Sequence, residues 1–470
     1  MAFLHDALVS IHDSLWDDER DLVSTPPGAV PTIDLTPFNL HSIRETALGA
    51  FFDLQRGNTE RAQRALRKVL TFQYLDAWQP WYGTFRVTDL DQDPPEEGAE
   101  EWVHYDPNWR QFIGCIFAMI LLGFEETLDP DLVTKLRESM LLCVEGEPQD
   151  RIPDWYTNIN VLHAWLCARV GAVHYRDDLI DRGERLALQV LERLREQGDV
   201  DEYNSPSYDG IDLLVAVLSQ VYPPTPFFET FGIELQEAIQ SRLEEVTSDS
   251  LHEIAGPYLR SYGMSLSQYV SLAGVWMALD TDDPGYLPAT LDVSTPHVHD
   301  LFFYPLIAWL DELSPIGFHF EAYAERLDHV VGEIVSTSLV TENYLVGFER
   351  GRTPAFSISQ YVPFVCHVRD SDGEQHYLAL QFGENVSRID VNELNAQSFG
   401  VDIEPTKTAF AIKFVSDLAP EQDGNGLSFA SISLLIAQPY EIEFSEPLVG
   451  LFHTMVKFSA ERAELVITLR

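Results

Sequence analysis

The hydrophobic periodicity of the sequence changes near residue 335. Before that point, apolar residues recur every three or four positions in about twelve segments, as in TERAQRALRKVLTFQYL at 59–75, a pattern typical of amphipathic helices. After it, short β-branched and aromatic segments such as ERAELVITLR alternate with Gly, Asn, Asp and Pro, which is typical of antiparallel strands. The sequence therefore predicts a helical domain over residues 1–335, its last helix at 318–335, and a β-sandwich over 336–470.

The spacing of the helical segments refines the first prediction. Short and long connections alternate between them, which favours antiparallel helix pairs. About six such pairs predict an (α/α) toroid, in which an inner ring of helices is surrounded by an outer ring.

The charge balance is strongly acidic. The 470 residues include 75 Asp and Glu against 30 Lys and Arg, of which five are lysines, giving a net charge of −45. This composition resembles that of haloarchaeal proteins and predicts a salt-adapted surface. With no basic stripe, nucleic-acid binding is not expected.

The N-terminus and the longest apolar runs bear on localisation. The first residues, MAFLHDALVSIHDSLWDDER, lack a basic export-type start, and the run FIGCIFAMILLGF at 112–124 is shorter than a membrane span. The four cysteines form no CxxC pair, and Cys115, Cys143 and Cys167, which lie in apolar helical segments, are interpreted as core thiols. We therefore expect a cytoplasmic protein with no membrane segment.

Polar and aromatic residues cluster where apolar helical segments begin. EYNSPSYDG at 202–210, WYTNIN at 155–160, RSYGM at 260–264 and PHVHD at 296–300 each precede or flank such a start. Inner helices of a toroid begin at one end of the ring, so these loops should converge on a single funnel. The aromatic segments QPWYGTF at 79–85 and WVHYDPNWR at 102–110 are expected to line it too.

Within these clusters, single residue types indicate chemistry. Ser205 is expected to cap the helix that Pro206 begins, which leaves the neighbouring phenols and carboxamide free to face a ligand. Only one of Asn158 and Asn160 can face the funnel, since they lie two positions apart. Arg260 and Tyr262 together could neutralise a carboxylate and donate a proton.

No metal or cofactor is expected from the motifs. His297 and His299 would diverge on a helix, and no HExxH or CxxC motif supplies a third ligand. The sequence also has no P-loop, GxGxxG or GxSxG motif.

A helical toroid followed by a β-sandwich resembles the layout of polysaccharide lyases of the heparinase, chondroitin, hyaluronate and alginate lyase groups. The resemblance implies β-elimination on a uronate-containing, anionic saccharide. In that reaction a base removes the proton α to the carboxylate and an acid protonates the departing oxygen. The residues whose types match are Asn158, Asn160, Tyr203, Asn204, Tyr208, Arg260, Tyr262, His297 and His299.

The resemblance implies a role for each group of residues. Tyr208 or Tyr262 would act as base and acid, with His297 or His299 as an alternative base. Asn158, Asn204 and Arg260 would hold the carboxylate, and Tyr203 and His104 would contact the saccharide. Stacking on sugar rings would fall to the aromatic residues Trp81, Tyr82, Tyr105, Trp109 and Trp155.

Two other functions fit the same pattern. A glycoside hydrolase on a toroid would need two carboxylates about 5–10 Å apart, with candidates Asp106, Asp154, Glu202, Asp209 and Asp212. A saccharide-binding protein without catalysis would use the same aromatic residues. The ultraviolet absorbance of an unsaturated uronate product would separate the lyase from both.

Overall fold

The computed structural model describes residues 2–29, 40–320, 326–353, 360–423, 426–444 and 451–469. Within these ranges the first two thirds of the chain form eleven α-helices. Their bounds are α1 (Ala2–Leu15), α2 (Ile43–Gln55), α3 (Thr59–Leu70), α4 (Trp109–Phe124), α5 (Pro130–Glu145), α6 (Thr157–His174), α7 (Asp177–Gln197), α8 (Pro206–Val221), α9 (Pro226–Val246), α10 (Leu272–Thr281) and α11 (Tyr304–Asp311).

Six of these helices form a closed inner ring. Each of α2, α4, α6, α8, α10 and α11 contacts the next, and α11 returns to α2. The helices α3, α5, α7 and α9 pack outside, each against an inner partner. Inner helices such as α6 and α8 are apolar and buried on nearly every side, whereas α7 keeps a charged outer face. The predicted toroid is confirmed.

The remainder of the chain forms a sandwich of two antiparallel sheets. Its strands are β6 (Leu327–Val331), β7 (Ile334–Val340), β8 (Tyr344–Arg350), β9 (Phe364–Arg369), β10 (Gln375–Phe382), β11 (Val386–Asn395), β12 (Ser398–Pro405), β13 (Ala409–Ser416), β14 (Glu421–Asp423), β15 (Gly426–Phe429), β16 (Ile432–Ile436), β17 (Tyr440–Phe444), β18 (Phe452–Ser459) and β19 (Ala463–Leu469). One sheet has the order β17-β18-β13-β10-β9-β8-β7-β6 and the other β11-β12-β19-β16-β15-β14, and a shared apolar core lies between them. The predicted sandwich is also confirmed.

Five short strands lie within the helical part of the chain. They are β1 (Trp16–Asp17), β2 (Leu22–Ser24), β3 (His41–Ser42), β4 (Thr247–Ser248) and β5 (Glu253–Ile254).

The expected helix at 318–335 is wrong where the structure describes the segment. LDHVVGEIVSTSLV at 327–340 instead forms the β6–β7 hairpin, which turns at Gly332 with φ of 62°. Its apolar residues satisfy a period of two as well as a helical period, and the sheet supplies backbone partners that a lone helix would lack. The first sandwich strand therefore starts at Leu327.

The segment between α9 and α10 is longer and less regular than expected. The cluster RSYGM at 260–264 was expected to precede or flank a helix start, but α10 begins only at Leu272. The preceding residues GPYLRSYGMSLS contain glycine, proline and serine, which favour turns. This connection, residues 255–271, carries Arg260 and Tyr262 to the mouth of the ring.

The sandwich docks against this connection. The backbones of Tyr258 and Val362 exchange hydrogen bonds of 3.1 and 2.9 Å, and the Ser338 hydroxyl donates to the Gly256 carbonyl at 2.7 Å. Gly347 of β8 lies so close that a Cβ there would be 1.8 Å from the Gly256 carbonyl carbon. Residues of β8, β9 and β10 accordingly share the core of the helical domain.

Two smaller predictions can be compared with the structure. All four cysteines are free and buried, so the interpretation as core thiols is confirmed. Among the described residues, no helix combines the length and hydropathy that crossing a bilayer requires.

Candidate active site

A cavity of about 240 Å³ opens where inner helices α4, α6 and α8 begin. The connection 255–271 and the segment before α11 complete its wall. Several residues predicted from the sequence line it together: Trp109, Asn158, Tyr208, Arg260, Tyr262 and His299. They come from five separate stretches of sequence, which meet because the inner helices start at the same end of the ring.

Tyr208 lies at the centre of the polar contacts in this cavity. Its hydroxyl is 3.3 Å from the hydroxyl of Tyr262 and accepts a hydrogen bond of 3.1 Å from Nε2 of Gln360. The guanidinium of Arg260 lies over the Tyr208 ring, with Cζ 3.8 Å from the ring centroid. Two phenols and a cation therefore share one end of the cavity.

The buried carboxylate of Glu202 lies behind this wall and joins the segment before α8 to the start of α6 and to the connection 255–271. Oε2 of Glu202 accepts from the backbone N and the Nδ2 of Asn158, at 2.8 and 2.7 Å, and Oε1 accepts from Nη1 of Arg260. Glu202 thereby supplies an acceptor to the first turn of α6, where backbone N–H groups lack helical partners. Burial alone would lower the pKa of Arg260, but the Glu202 carboxylate and the nearby phenols raise it.

Ser205 has a different role from the predicted helix cap. α8 begins at Pro206 as expected, but the Ser205 hydroxyl makes no cap hydrogen bond. It accepts instead from the backbone N of Arg260 at 3.0 Å, while the Ser205 backbone N donates to Asp209 Oδ2 at 2.9 Å. The serine therefore ties the α8 start to the loop that carries Arg260.

The cavity wall also carries carboxyl groups. Asp106 and Asp300 both line it; burial raises the pKa of Asp106 and raises that of Asp300 to about 7, although Arg44 opposes the latter shift. Arg44 is held by Glu45 at 2.6 Å and packs over the rings of Trp109, Phe112 and Phe303. A carboxyl group with a pKa of about 7, as in Asp300, is suited to proton donation near neutral pH.

The two histidines of PHVHD lie side by side next to Tyr262. The His297 ring stacks on Tyr262 with centroids 3.7 Å apart, and His299 reaches the cavity wall. Burial lowers the pKa of His297 to about 4 and that of His299 well below its usual range. His297 therefore packs behind Tyr262 as a neutral ring.

Two residues of the EYNSPSYDG stretch point away from the cavity. Tyr203 stacks on His329 at 4.4 Å and lines a separate cavity of about 530 Å³. Asn204 is buried and donates to the carbonyl oxygens of Ala255 and Pro257 at 2.7 and 2.9 Å. Asn160 faces elsewhere too, donating to Pro153 O at 2.8 Å, so Asn158 alone of that pair reaches the cavity.

The remaining aromatic candidates lie outside the main cavity. Trp81 and Tyr105 pack together with centroids 5.8 Å apart, in a small cluster of their own. His104 and Tyr105 line a third cavity of about 410 Å³. Trp155 stacks on Tyr156 at 5.5 Å, and the backbone oxygen of Tyr82 accepts from Arg110 at 2.8 Å.

Several cavity residues were not predicted as site residues. Asn108 and Asp300 adjoin predicted residues in sequence, so the predicted motifs already pointed to them, whereas Arg44 and Gln360 come from segments in which no motif was recognised. Gln360 also accepts from Nε of Arg260 at 3.1 Å, and Asn108 donates to the Tyr156 hydroxyl at 3.0 Å. Asp106, which also lines the cavity, was predicted only as a carboxylate of the alternative hydrolase.

The architecture places the chain in the class of helical toroids joined to a β-sandwich, with a polar cavity at the mouth of the ring. The chain belongs to the family described as a domain of unknown function, DUF8769, whose family model matches residues 4–312. No curated protein matches the sequence.

Comparison with solved structures gives several distant similarities. Heparinase III is similar at 9% identity and a TM-score of 0.49, over 90% of this chain and 75% of that one. The GH127 β-arabinofuranosidase has 8% identity and a TM-score of 0.36, over 99% and 76%. Endoglucanase CelQ from Clostridium thermocellum, complexed with cellotetraose, has 7% identity and a TM-score of 0.31, over 91% and 83%.

Proposed function

We propose that the protein is a carbohydrate-active lyase that cleaves a uronate-containing saccharide by β-elimination. The observation that carries the proposal is the contact of Tyr208 with Tyr262 beneath the guanidinium of Arg260, inside a cavity. Two phenols at 3.3 Å can exchange a proton, and the cation lies over the Tyr208 ring, where it stabilises the negative charge of the phenolate that forms when Tyr208 loses one.

The reaction uses these groups in sequence. Tyr208, as a phenolate beneath the Arg260 guanidinium, takes up the proton α to the uronate carboxylate and becomes a phenol, while Arg260 and Asn158 stabilise the negative charge that develops on that carboxylate. The bond from the β carbon to the glycosidic oxygen then breaks, and a carbon–carbon double bond forms between the α and β carbons. The leaving oxygen takes a proton from a phenol, which returns the tyrosine pair to its starting state.

Access and orientation follow from the same contacts. Glu202 holds Asn158 and Arg260 from behind, so both donors are fixed before a ligand arrives, which reduces the entropy cost of catalysis. Trp109 and Trp102 line the cavity and offer faces for a sugar ring. His297, stacked on Tyr262, holds that phenol in place.

The test combines product analysis with a matched pair of variants. The protein should release products that absorb in the ultraviolet from at least one polymer in a panel of uronate-containing polysaccharides. Tyr208→Phe should lower kcat by about 10²–10⁴-fold, with a loss of stability of about 1 kcal/mol for the hydroxyl. Tyr222→Phe, at the opposite end of the same helix, should leave kcat unchanged; equal losses in both variants would contradict the proposal.

A glycoside hydrolase is the second candidate, because Asp106 and Asp300 line the same cavity and burial raises the pKa of each. A hydrolase would produce new reducing ends without ultraviolet absorbance. It would depend on Asp106 and Asp300 and tolerate Tyr208→Phe, so the same assay separates the two reactions.

A further inference from the structure

The histidine pair of PHVHD converges with a carboxylate rather than diverging. His297 has left-handed backbone angles, φ 55° and ψ 24°, immediately before the short helix Val298–Phe303. That turn rotates the first ring toward the second, and the His297 and His299 centroids are 5.2 Å apart. Asp300 joins them, and one ligand atom from each of the three residues lies within 4.8 Å of the others.

One imidazole nitrogen of each histidine in this cluster lacks a protein partner among the described residues. Among the described residues, neither Nδ1 of His297 nor Nδ1 of His299 has a hydrogen-bond partner, and both atoms are buried. Nε2 of His299 is 3.4 Å from Oδ1 of Asp300. Buried nitrogens without partners cost free energy, and a bound ion would satisfy them.

The surrounding charges and rings favour a cation. Arg44 comes within 3.9 Å of Asp300, but Glu45 pairs with the Arg44 guanidinium at 2.6 Å. Arg44, Glu45 and Asp300 together therefore carry one net negative charge when Glu45 and Asp300 are both ionised. Tyr262 stacks on the His297 ring and Tyr269 meets it edge-on, with centroids 5.7 Å apart. The first histidine is therefore held in a fixed orientation, as a ligand needs to be.

We propose that His297, His299 and Asp300 bind one divalent transition-metal ion such as Zn²⁺. Two imidazoles and one carboxylate are a ligand set for Zn²⁺ that leaves a position open. A tetrahedral ion with bonds of about 2.1 Å holds its ligand atoms about 3.4 Å from one another. The ligand atoms of the three residues lie within 4.8 Å of one another, so metal binding would shorten each of these distances by about 1.4 Å at most. Since His299 and Asp300 line the cavity, the open position faces it; that this position takes an oxygen of the saccharide rests on the function proposed above.

Metal binding can be measured without a substrate. Protein without a polyhistidine tag is stripped with a chelator and titrated with Co²⁺ by visible spectroscopy and with Zn²⁺ by calorimetry. We expect one equivalent of each, with cobalt d–d bands and no thiolate charge-transfer band, since the buried cysteines lie elsewhere.

Variants locate the ion. Asp300→Asn and His299→Ala should each weaken binding by more than about 100-fold, because removal of even an outer partner of a metal ligand costs about 10–100-fold. Asp300→Asn preserves side-chain shape, and circular dichroism of each variant verifies folding. His376→Ala is the matched control: that histidine also contacts two carboxylates, Asp370 and Asp417, at 3.2 Å, but on the sandwich.

The outcomes separate this site from the proposed reaction. Absence of stoichiometric binding in the unmodified protein, wild-type affinity in Asp300→Asn and His299→Ala, or loss of binding in His376→Ala would each overturn the metal site. None of these results concerns the Tyr208 chemistry, which the Tyr208→Phe assay tests by itself.

Discussion

Replacing Glu202 by glutamine should destabilise the protein through a single buried contact. The Glu202 side chain is fully buried, and that of its partner Arg260 is only 10% exposed. The carboxylate receives two N–H groups of Asn158 and one of Arg260. Glutamine keeps one acceptor oxygen but turns an NH₂ group toward donors and leaves the guanidinium without its counter-charge.

The expected magnitude follows from these losses. Removing one partner of a buried ion pair costs about 3–5 kcal/mol, and an N–H donor left without an acceptor costs about 1–3 kcal/mol. Relief of repulsion acts in the other direction: Asp212 is buried beside Glu202, and burial together with that neighbour raises the pKa of Asp212. We therefore expect the free energy of unfolding to fall by about 3–5 kcal/mol.

The assay is urea unfolding in molar potassium chloride, with two comparison variants. Glu234→Gln makes the same chemical change in a pair with Arg195 whose side chains are 30% and 51% exposed, and it should cost less than about 1 kcal/mol. The double variant Glu202→Gln with Arg260→Gln should cost at least about 1 kcal/mol less than the sum of the single variants, since it leaves no charge unpaired. If Glu202→Gln costs no more than Glu234→Gln, the buried carboxylate does not hold the three loops together.

Three further predictions concern the whole fold. The net charge of −45 predicts a thermal midpoint that rises between dilute buffer and molar potassium chloride; an unchanged midpoint would contradict salt adaptation. Burial raises the pKa of Glu253 from 4.5 to about 7, so between these two pH values the folded protein keeps a proton that the unfolded chain loses. The free energy of unfolding should therefore fall by about 3 kcal/mol as the pH rises from 4.5 to about 7. Glu253→Gln should remove this contribution to the pH dependence of urea unfolding. Gly347→Ala should lower the free energy of unfolding in urea by more than about 3 kcal/mol, since the new Cβ would lie 1.8 Å from the Gly256 backbone. Gly123→Ala in α4 is the control: its Cβ would have no contact closer than 3.6 Å, so the free energy of unfolding should stay the same or rise by up to about 1 kcal/mol.

The fold was predictable because its two halves have different hydrophobic periods. The helical and β parts follow from that difference, and the ring follows from the alternation of short and long connections between the helical segments. The segment LDHVVGEIVSTSLV was misassigned because its apolar residues fit both periods, and strand partners decide between them. Periodicity is a local property, whereas strand pairing is not.

The site was predictable only as far as helix starts converge. Asn158, Tyr208, Arg260 and Tyr262 meet because inner helices begin at one end of the ring. Tyr203 and Asn204 lie in the same short stretch as Tyr208 yet face other surroundings, since position along a loop does not set the direction of a side chain. The sequence around Gln360 did not indicate a site residue, because the contacts of Gln360 with Tyr208 and Arg260 depend on how the sandwich packs against the helical domain.

That docking makes the cavity sensitive to mechanical displacement. Gln360 donates to the Tyr208 hydroxyl and accepts from Arg260, although it extends from the sandwich side. The backbones of Gly347 and Gly256 are in close contact. A small rotation of the sandwich relative to the helical domain would therefore disrupt both hydrogen bonds of Gln360, the one to Tyr208 and the one from Arg260. The phenol would then lose its donor while the ring itself remained intact. The hydrogen-bonding environment of Tyr208 therefore depends on the position of the sandwich as well as on the helices of the toroid.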